Sequence, residues 1–239
     1  MVKYINNIKV IIVLAVVSIF SAFSSSQNNA KPISEVEVSF IGDNNLFISK
    51  TKVDKLLIQN NDYIKCVSKD NLDLKALENK LSSHDMIENS EVYISINGIL
   101  KIDIKQRNPY ARVISDSSFY IDNNGTKMPL SDNYSARVLL VHGLNDESKI
   151  DYVFKLIKTI RDDEFLNSNV TDILISKSDI SLRVRNCNFE VLVGDLNNLE
   201  TKIKNFKAFY QKAYRDKILN NYKKVNLQFN NQIVCTKYI

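Results

Sequence analysis

The chain has 239 residues, a mass of 27.4 kDa, 25% charged and 44% hydrophobic residues, the balance of a folded protein with one large domain or two small ones. Its five glycines and three prolines exclude collagen-like, mucin-like and glycine-linker architectures. Gly42, Gly98, Gly125, Gly143 and Gly194 are too scattered for a phosphate-cradling loop, a dinucleotide fingerprint or a nucleophile elbow. A net charge of +5 raises affinity for anionic surfaces without identifying one.

Lys3 and Lys9 precede an uncharged run from Val10 to Phe23, and Ser24, Ser25, Ser26, Gln27, Asn28 and Asn29 follow. A positive flank, an apolar run and a polar exit describe an export signal. A membrane span takes about 20 residues. Extension back through Tyr4, Ile5 and Ile8 reaches that length, with Lys9 snorkelling to the headgroups. Ala22-Phe23-Ser24 is also an acceptable cleavage site. The expectation is a retained anchor, with residues 1–9 as a short cytoplasmic tail and 10–29 as span and exit. A cleaved signal on a secreted chain is the alternative. Either way the bulk of the chain lies outside the cytoplasm, which sets nucleic acid aside as a partner.

Residues 33–112 read as a small strand–helix–helix–strand–strand unit. Val36, Val38 and Phe40 alternate with Glu35, Glu37 and Ser39, the period of a half-buried strand. Ser49 caps a helix with Val53, Leu56 and Leu57 on one face. Asp70 or Asn71 starts a second, with Leu74, Leu77 and Leu81 at helical spacing. Val92, Ile94 and Ile96, then Asn97-Gly98, then Leu100, Ile102 and Ile104 predict a hairpin closed by a type I′ turn.

Residues 113–239 read as a mostly antiparallel sheet with two helices. Phe119-Tyr120-Ile121 and Thr126-Lys127-Met128 flank a turn at Asp122-Asn123-Asn124-Gly125. Val138 to Val141 is a buried strand ending at His142-Gly143. Ile150, Val153, Phe154, Ile157 and Ile160 share a helix face. Three short strands follow, through Ile173, Leu182 and Val191. The next helix starts near Asn197, with Glu200 as a weak capping box. Tyr222 to Thr236 reads as one closing strand, in which Val225, Leu227 and Phe229 alternate with Asn226, Gln228 and Asn230. The fold class is α+β.

Candidate reactive groups are few. His84 sits in Ser82-Ser83-His84-Asp85, where consecutive residues at a helix end cannot converge as nucleophile, base and orienter. His142 follows a strand and reads as a structural or solvated loop histidine without a carboxylate or cysteine partner. Asp162-Asp163-Glu164 reads as a solvated helix end. Cys66, Cys187 and Cys235 lack zinc-site spacing. Free thiols are expected, and a Cys187–Cys235 pairing stays open. No catalytic residue, metal, cofactor or small-molecule substrate is expected. Lys202, Lys204, Lys207, Lys212, Arg215 and Lys217 read as the wet face of the late helix. The closing strand, with asparagines outward and Lys237 at its end, lies where a last strand has one neighbour. Such an edge accepts another chain as an added strand.

The order β-α-α-β-β after an anchor resembles a POTRA domain. The segment Glu88 to Ile94, with Asn97-Gly98 and Ile102 to Ala111, is similar to the FtsQ/DivIB cell-division family, Pro109 and Ala111 standing where that family carries Pro and Ala. Asp122 to Gly125, Leu192-Val193-Gly194-Asp195 and the Lys224–Phe229 segment resemble pieces of its β domain. The tail is shorter than in many members, and Asn226 stands where Asp is common. The resemblance implies a non-enzymatic divisome scaffold, single-pass in the inner membrane at the septum. It also implies FtsB/DivIC-like and FtsL-like division proteins as partners. Carried over by position, the interface is Gln228, Phe229, Asn230, Asn231 and Gln232. A secreted small-ligand-binding protein and an envelope hydrolase are the competing readings.

Overall fold

The computed structural model describes residues 11–21, 23, 32–42, 46–58, 69–177, 179–229 and 232–238. The expected tail (1–9), most of the exit from the expected span, Cys66, Asn230 and Asn231 lie outside the described residues. Residues 11–21 and 23 are helical, with Ile11, Val13, Ile19 and Phe20 more than half exposed. Among the described residues no helix is long and apolar enough to cross a membrane. The chain divides into two compact units, Met1–Gln106 and Arg107–Ile239. The division comes earlier than residue 112 because Pro109–Ile114 pairs within the second unit's sheet.

The first unit runs β1 (Glu35–Ile41), α1 (Lys50–Ile58), α2 (Leu74–Ser82), β2 (Ile87–Ile94) and β3 (Ile99–Gln106). Its sheet order is β1-β3-β2, with β3 parallel to β1 and antiparallel to β2. Val38, Leu100, Ile102 and Ile104 alternate onto the face that buries Val53 and Leu57 of α1 and Leu77 and Leu81 of α2. Gln106 continues the inward register of β3. Its Oε1 accepts the Phe47 and Ile48 N–H groups and its Nε2 donates to Ile48 O, which satisfies a buried amide with backbone.

Two local expectations change here. The cap of α2 is Asp73, whose carboxylate accepts the Ala76 N–H at 2.9 Å, while Lys69–Asn71 forms a separate 3₁₀ turn. The hairpin is not type I′, because only Gly98 in its turn has positive φ, at 86°. Gly98 N donates to Ser95 O and Ser95 N to Ile99 O, the pattern of a three-residue loop with glycine in the left-handed position.

The second unit contains β4 (Pro109–Ile114), β5 (Phe119–Asp122), β6 (Lys127–Met128), β7 (Leu139–His142), α3 (Ile150–Asp162), α4 (Glu164–Asn169), β8 (Val170–Ile175), β9 (Ile180–Val184), β10 (Glu190–Gly194), α5 (Leu199–Arg215), β11 (Tyr222–Asn226) and β12 (Val234–Lys237). They form one nine-stranded sheet in the order β12-β11-β10-β9-β8-β7-β4-β5-β6. The sheet is mixed: five of its eight pairings are antiparallel, the expected majority, whereas β4–β7, β7–β8 and β10–β11 are parallel. For β7–β8 and β10–β11 the cause is connection length, whereas β4 reaches β7 through the β5–β6 hairpin. α3 with α4 and then α5 are crossovers, and a crossover helix returns the chain to the same sheet in the same direction.

One sheet face, with Ala111, Val113, Val141, Ile173, Leu182, Val191 and Val225, packs on Val153, Leu156, Ile157 and Ile160 of α3, Leu166 of α4 and Phe206 of α5. α4 is capped by Asp163, whose carboxylate accepts the Leu166 N–H at 3.0 Å and pairs with Lys207. Asp163 therefore belongs to a structural cap instead of a solvated helix end. α5 starts from Asn198 in the left-handed region, with φ 53° and no side-chain cap, so the expected capping box does not form.

Candidate functional site

The segment expected as one closing strand is a hairpin. β11 pairs with β10 on one side and with β12 on the other, so β11 is an interior strand and β12 is the edge. The break falls where the alternation reaches the Gln228–Gln232 stretch. Five consecutive polar and aromatic residues after a strand are a turn signal, and this signal marks the hairpin in the sequence. β11 keeps Val225 buried, and Leu227 extends the parallel pairing by donating its N–H to Leu192 O at 2.8 Å.

Of the five expected interface residues, the structure describes three, all in the β11–β12 connection. Gln228 is engaged inside its own unit: its Nε2 donates to Asp179 Oδ1 at 2.9 Å and its N–H to Asn226 Oδ1 at 2.9 Å. It also lies over Gly194, where an added Cβ would come within 2.6 Å of Gln228 Nε2. Phe229 is 46% exposed, and Gln232 is exposed. Asn230 and Asn231 lie outside the described residues.

Two exposed apolar residues accompany the edge and have no counterpart in the expectation: Val234 on β12, and Tyr238 just beyond it. Tyr238 is held by its hydroxyl, which donates to Asn188 O at 3.1 Å, and by its N–H, which donates to Asn221 O at 3.0 Å. The other sheet edges are blunted. β6 is two residues long, with Lys127 paired to Glu147 at 2.6 Å. β2 has Glu78 of α2 accepting its Val92 N–H, and β1 carries Glu35 and Glu37. Short length and charge are the usual protections of an edge. β12, four residues long, carries a single charge, Lys237.

The histidines settle differently from expectation. His142 has a carboxylate partner after all: its Nε2 lies 2.9 Å from Asp172 Oδ1 on the adjacent strand, a residue thirty positions away that no local pattern reveals. Among the described residues His142 makes no second side-chain hydrogen bond, whereas a catalytic base also needs a nucleophile within reach. His84 Nδ1 accepts the Met86 N–H at 3.2 Å. Cys187 and Cys235 are free and half-buried, and burial pushes both thiols above the ordinary range. They do not pair because β11 stands between β12, which carries Cys235, and β10, which follows Cys187. Among the described residues no group of three or more His, Cys, Asp and Glu side chains is placed to hold a metal ion.

The late helix also departs from a wet face. Lys202 is buried, and its ammonium donates to Val193 O, Asp195 O and Asp195 Oδ1 at 3.0, 2.8 and 2.8 Å. It therefore clamps the Gly194-Asp195 turn to α5. That contact, first, and the Asn197 side chain, second, hold the Asp195 carboxyl below its usual value.

Residues 34–105 match the family model described as a POTRA-like domain. Residues 108–236 match the model described as FtsQ/DivIB, C-terminal related. No curated protein matches the chain. FtsQ/DivIB proteins are non-enzymatic division proteins. With the second match spanning more than half of the residues, and the first filling most of what precedes it, the chain belongs to the FtsQ/DivIB family.

Proposed function

We propose that this protein is a cell-division scaffold that recruits its partners by strand addition at β12. The reading rests on one observation above all. β12 is the sheet edge with the least protection, and exposed Phe229, Val234 and Tyr238 lie at its start and end. An added strand gains main-chain hydrogen bonds along the edge, and apolar side chains beside it supply selectivity. FtsB/DivIC-like and FtsL-like division proteins are the partners this reading assigns. Phe229 and Gln232 provide side-chain contacts, with Asn230 and Asn231 between them, and Gln228 positions the connection.

Residues 10–29 act in this reading as a single inner-membrane anchor, with both folded units outside the cytoplasm at the septum. The exposed apolar surface of residues 11–21 supports it, since such a surface is otherwise costly in water. Anchoring confines the search for partners to the membrane plane and raises their effective concentration.

The test is co-purification of FtsB/DivIC-like and FtsL-like proteins with the wild type and with Phe229→Glu. The variant is expected to lose its partners while its circular dichroism stays native. Undiminished partner capture by the folded variant would remove the edge assignment. Depletion of the protein is expected to give filamentous cells, and normal septation would remove the division reading. Sequencing the N-terminus of membrane-fraction protein is expected to return Met1, whereas a start at Ser24 or Ser25 would mean a cleaved signal.

A further inference from the structure

We propose that a second site on the C-terminal unit, away from β12, docks an acidic peptide segment in which carboxylates flank an apolar side chain. The chain has seven arginines against twenty-five lysines. Four of the seven, Arg112, Arg137, Arg161 and Arg185, line a single cleft of about 340 Å³. They come from β4, from the segment entering β7, from the last turn of α3 and from the residue after β9. Among the described residues no acidic side chain lines the cleft, and its apolar lining includes Val138, Leu140, Ile160 and Val170.

The four guanidinium groups are arranged for a ligand and not for one another. Arg112 lies 5.9 Å from the centre of the Tyr120 ring and Arg161 5.1 Å from that of Tyr110, so aromatic faces hold both in place. Arg161 Nη1 also donates to Asn167 Oδ1 at 2.9 Å, and Arg112 Nη1 to Ser135 Oγ at 3.4 Å. Arg112 Nε is buried with no acceptor among the described residues. A buried donor left unpaired is costly, and a bound acceptor removes the cost. Arg161 has a structural role as well, since a cation in the last turn of a helix offsets its dipole. Arg137 and Arg185 have none: both are exposed, and neither side chain has a hydrogen-bond or ion-pair partner among the described residues.

The class of ligand follows from the forks and the lining. Guanidinium presents two parallel donors that fit a carboxylate or phosphate oxygen pair, which an ammonium does not. One free oxyanion engages one or two such forks and leaves the aliphatic surface bare. Stacked bases need open aromatic faces, and the rings of Tyr110 and Tyr120 already carry guanidinium groups. An extended peptide places residues i and i+2 on the same side about 6.5 Å apart. Carboxylates at i and i+4 therefore reach separate arginines, and an aliphatic side chain at i+2 lies between them on the same side.

The test is fluorescence anisotropy of a labelled hexapeptide, Glu-Ser-Leu-Ser-Glu-Ser, against the full-length chain in non-ionic detergent. Saturable binding is expected, weakened at least tenfold in a hexapeptide with glutamine for glutamate. Arg137→Gln with Arg185→Gln is expected to weaken binding at least tenfold. Arg137→Lys with Arg185→Lys, which keeps the charge and loses the forks, is expected to weaken it several-fold. Native circular dichroism of both variants secures the comparison, and single Arg137→Gln serves if the double variant misfolds. Equal binding of the glutamine peptide, or unchanged binding by a folded glutamine variant, overturns the proposal. So does an arginine-dependent preference for inorganic pyrophosphate or for anionic lipid vesicles over the peptide. No division partner enters the measurement, so its outcome is independent of the β12 reading.

Discussion

Arg107 Nη1 donates to Asp122 Oδ2 at 2.7 Å, and the Asp122 side chain is sealed from solvent. The same carboxylate accepts the Asn124 and Thr126 N–H groups at 2.9 and 2.7 Å through Oδ1. One buried acid thus organises the β5–β6 turn and ties it to the first residue of the second unit. This gives the Asp122 to Gly125 segment a physical role: Asp122 supplies the acceptor and Gly125 the positive φ of 81°.

Removing that acid leaves a partly buried guanidinium and two turn amides without their acceptor. Asp122→Ala is expected to destabilise the second unit by about 3–5 kcal/mol, the range for breaking a buried pair from one side. Asp122→Asn, which keeps an acceptor for the turn, is expected to lose less. Urea unfolding of the two variants measures the difference, and equal losses would assign the effect to the ion pair alone.

Gly143 follows β7 at φ 78°, and a Cβ added there would lie 2.1 Å from Ile175 O. A backbone oxygen cannot swing aside as a side chain does. Gly143→Ala is expected to cost at least about 2 kcal/mol, above the roughly 1–2 kcal/mol of a left-handed backbone alone. Gly42→Ala is the control, since φ is 94° and the added Cβ meets no described atom within 4 Å. Thermal unfolding that ranks the two alike would refute the clash.

Lys202→Met keeps the aliphatic stem and deletes the ammonium that holds Val193 O and Asp195. A loss of about 2–3 kcal/mol is expected, the scale of a charged hydrogen-bond donor removed from buried acceptors. In an NMR titration the Asp195 carboxyl of this variant is expected to move up toward its ordinary value, because its main depressing contact is gone. An Asp195 titration identical to the wild type would show that Lys202 does not govern it.

Burial first, and then the Lys52 ammonium, hold the His84 imidazole below its ordinary value, against the opposing Asp85 carboxylate. The unfolded chain therefore binds this proton at higher pH than the folded one. The first unit's stability is full above about pH 6.5, the unfolded value, and falls as pH drops through and below it. Protonation also removes the Nδ1 acceptor for the Met86 N–H. Urea midpoints between pH 7.5 and 5 are expected to fall in the wild type and to flatten in His84→Gln. A wild-type curve as flat as the variant's would show that His84 titrates alike in both states.

Much of the fold was legible because strand and helix periods are local. Val36, Val38 and Phe40, the two halves of the hairpin at Gly98, and the α3 face through Val153, Ile157 and Ile160 all sit where their spacing places them. The departures lie where a distant partner decides. Lys202 has helical spacing compatible with solvent, and only the Gly194-Asp195 turn draws it inward. The Tyr222–Thr236 segment alternates across a turn, and its division into interior and edge strands depends on β10.

Composition and short-range pattern by themselves determined the α+β class, the apolar N-terminal run and glycines too scattered for a phosphate-cradling loop. They did so because hydrophobic period, turn residues and glycine spacing act within a few residues of each other. Tertiary structure alone decided that the large sheet is mixed, that β12 and not β11 is its edge, that His142 meets Asp172, and that four scarce arginines share one cleft. Each of these joins residues dozens of positions apart, and strand order and crossover direction, which no local signal encodes, bring them together.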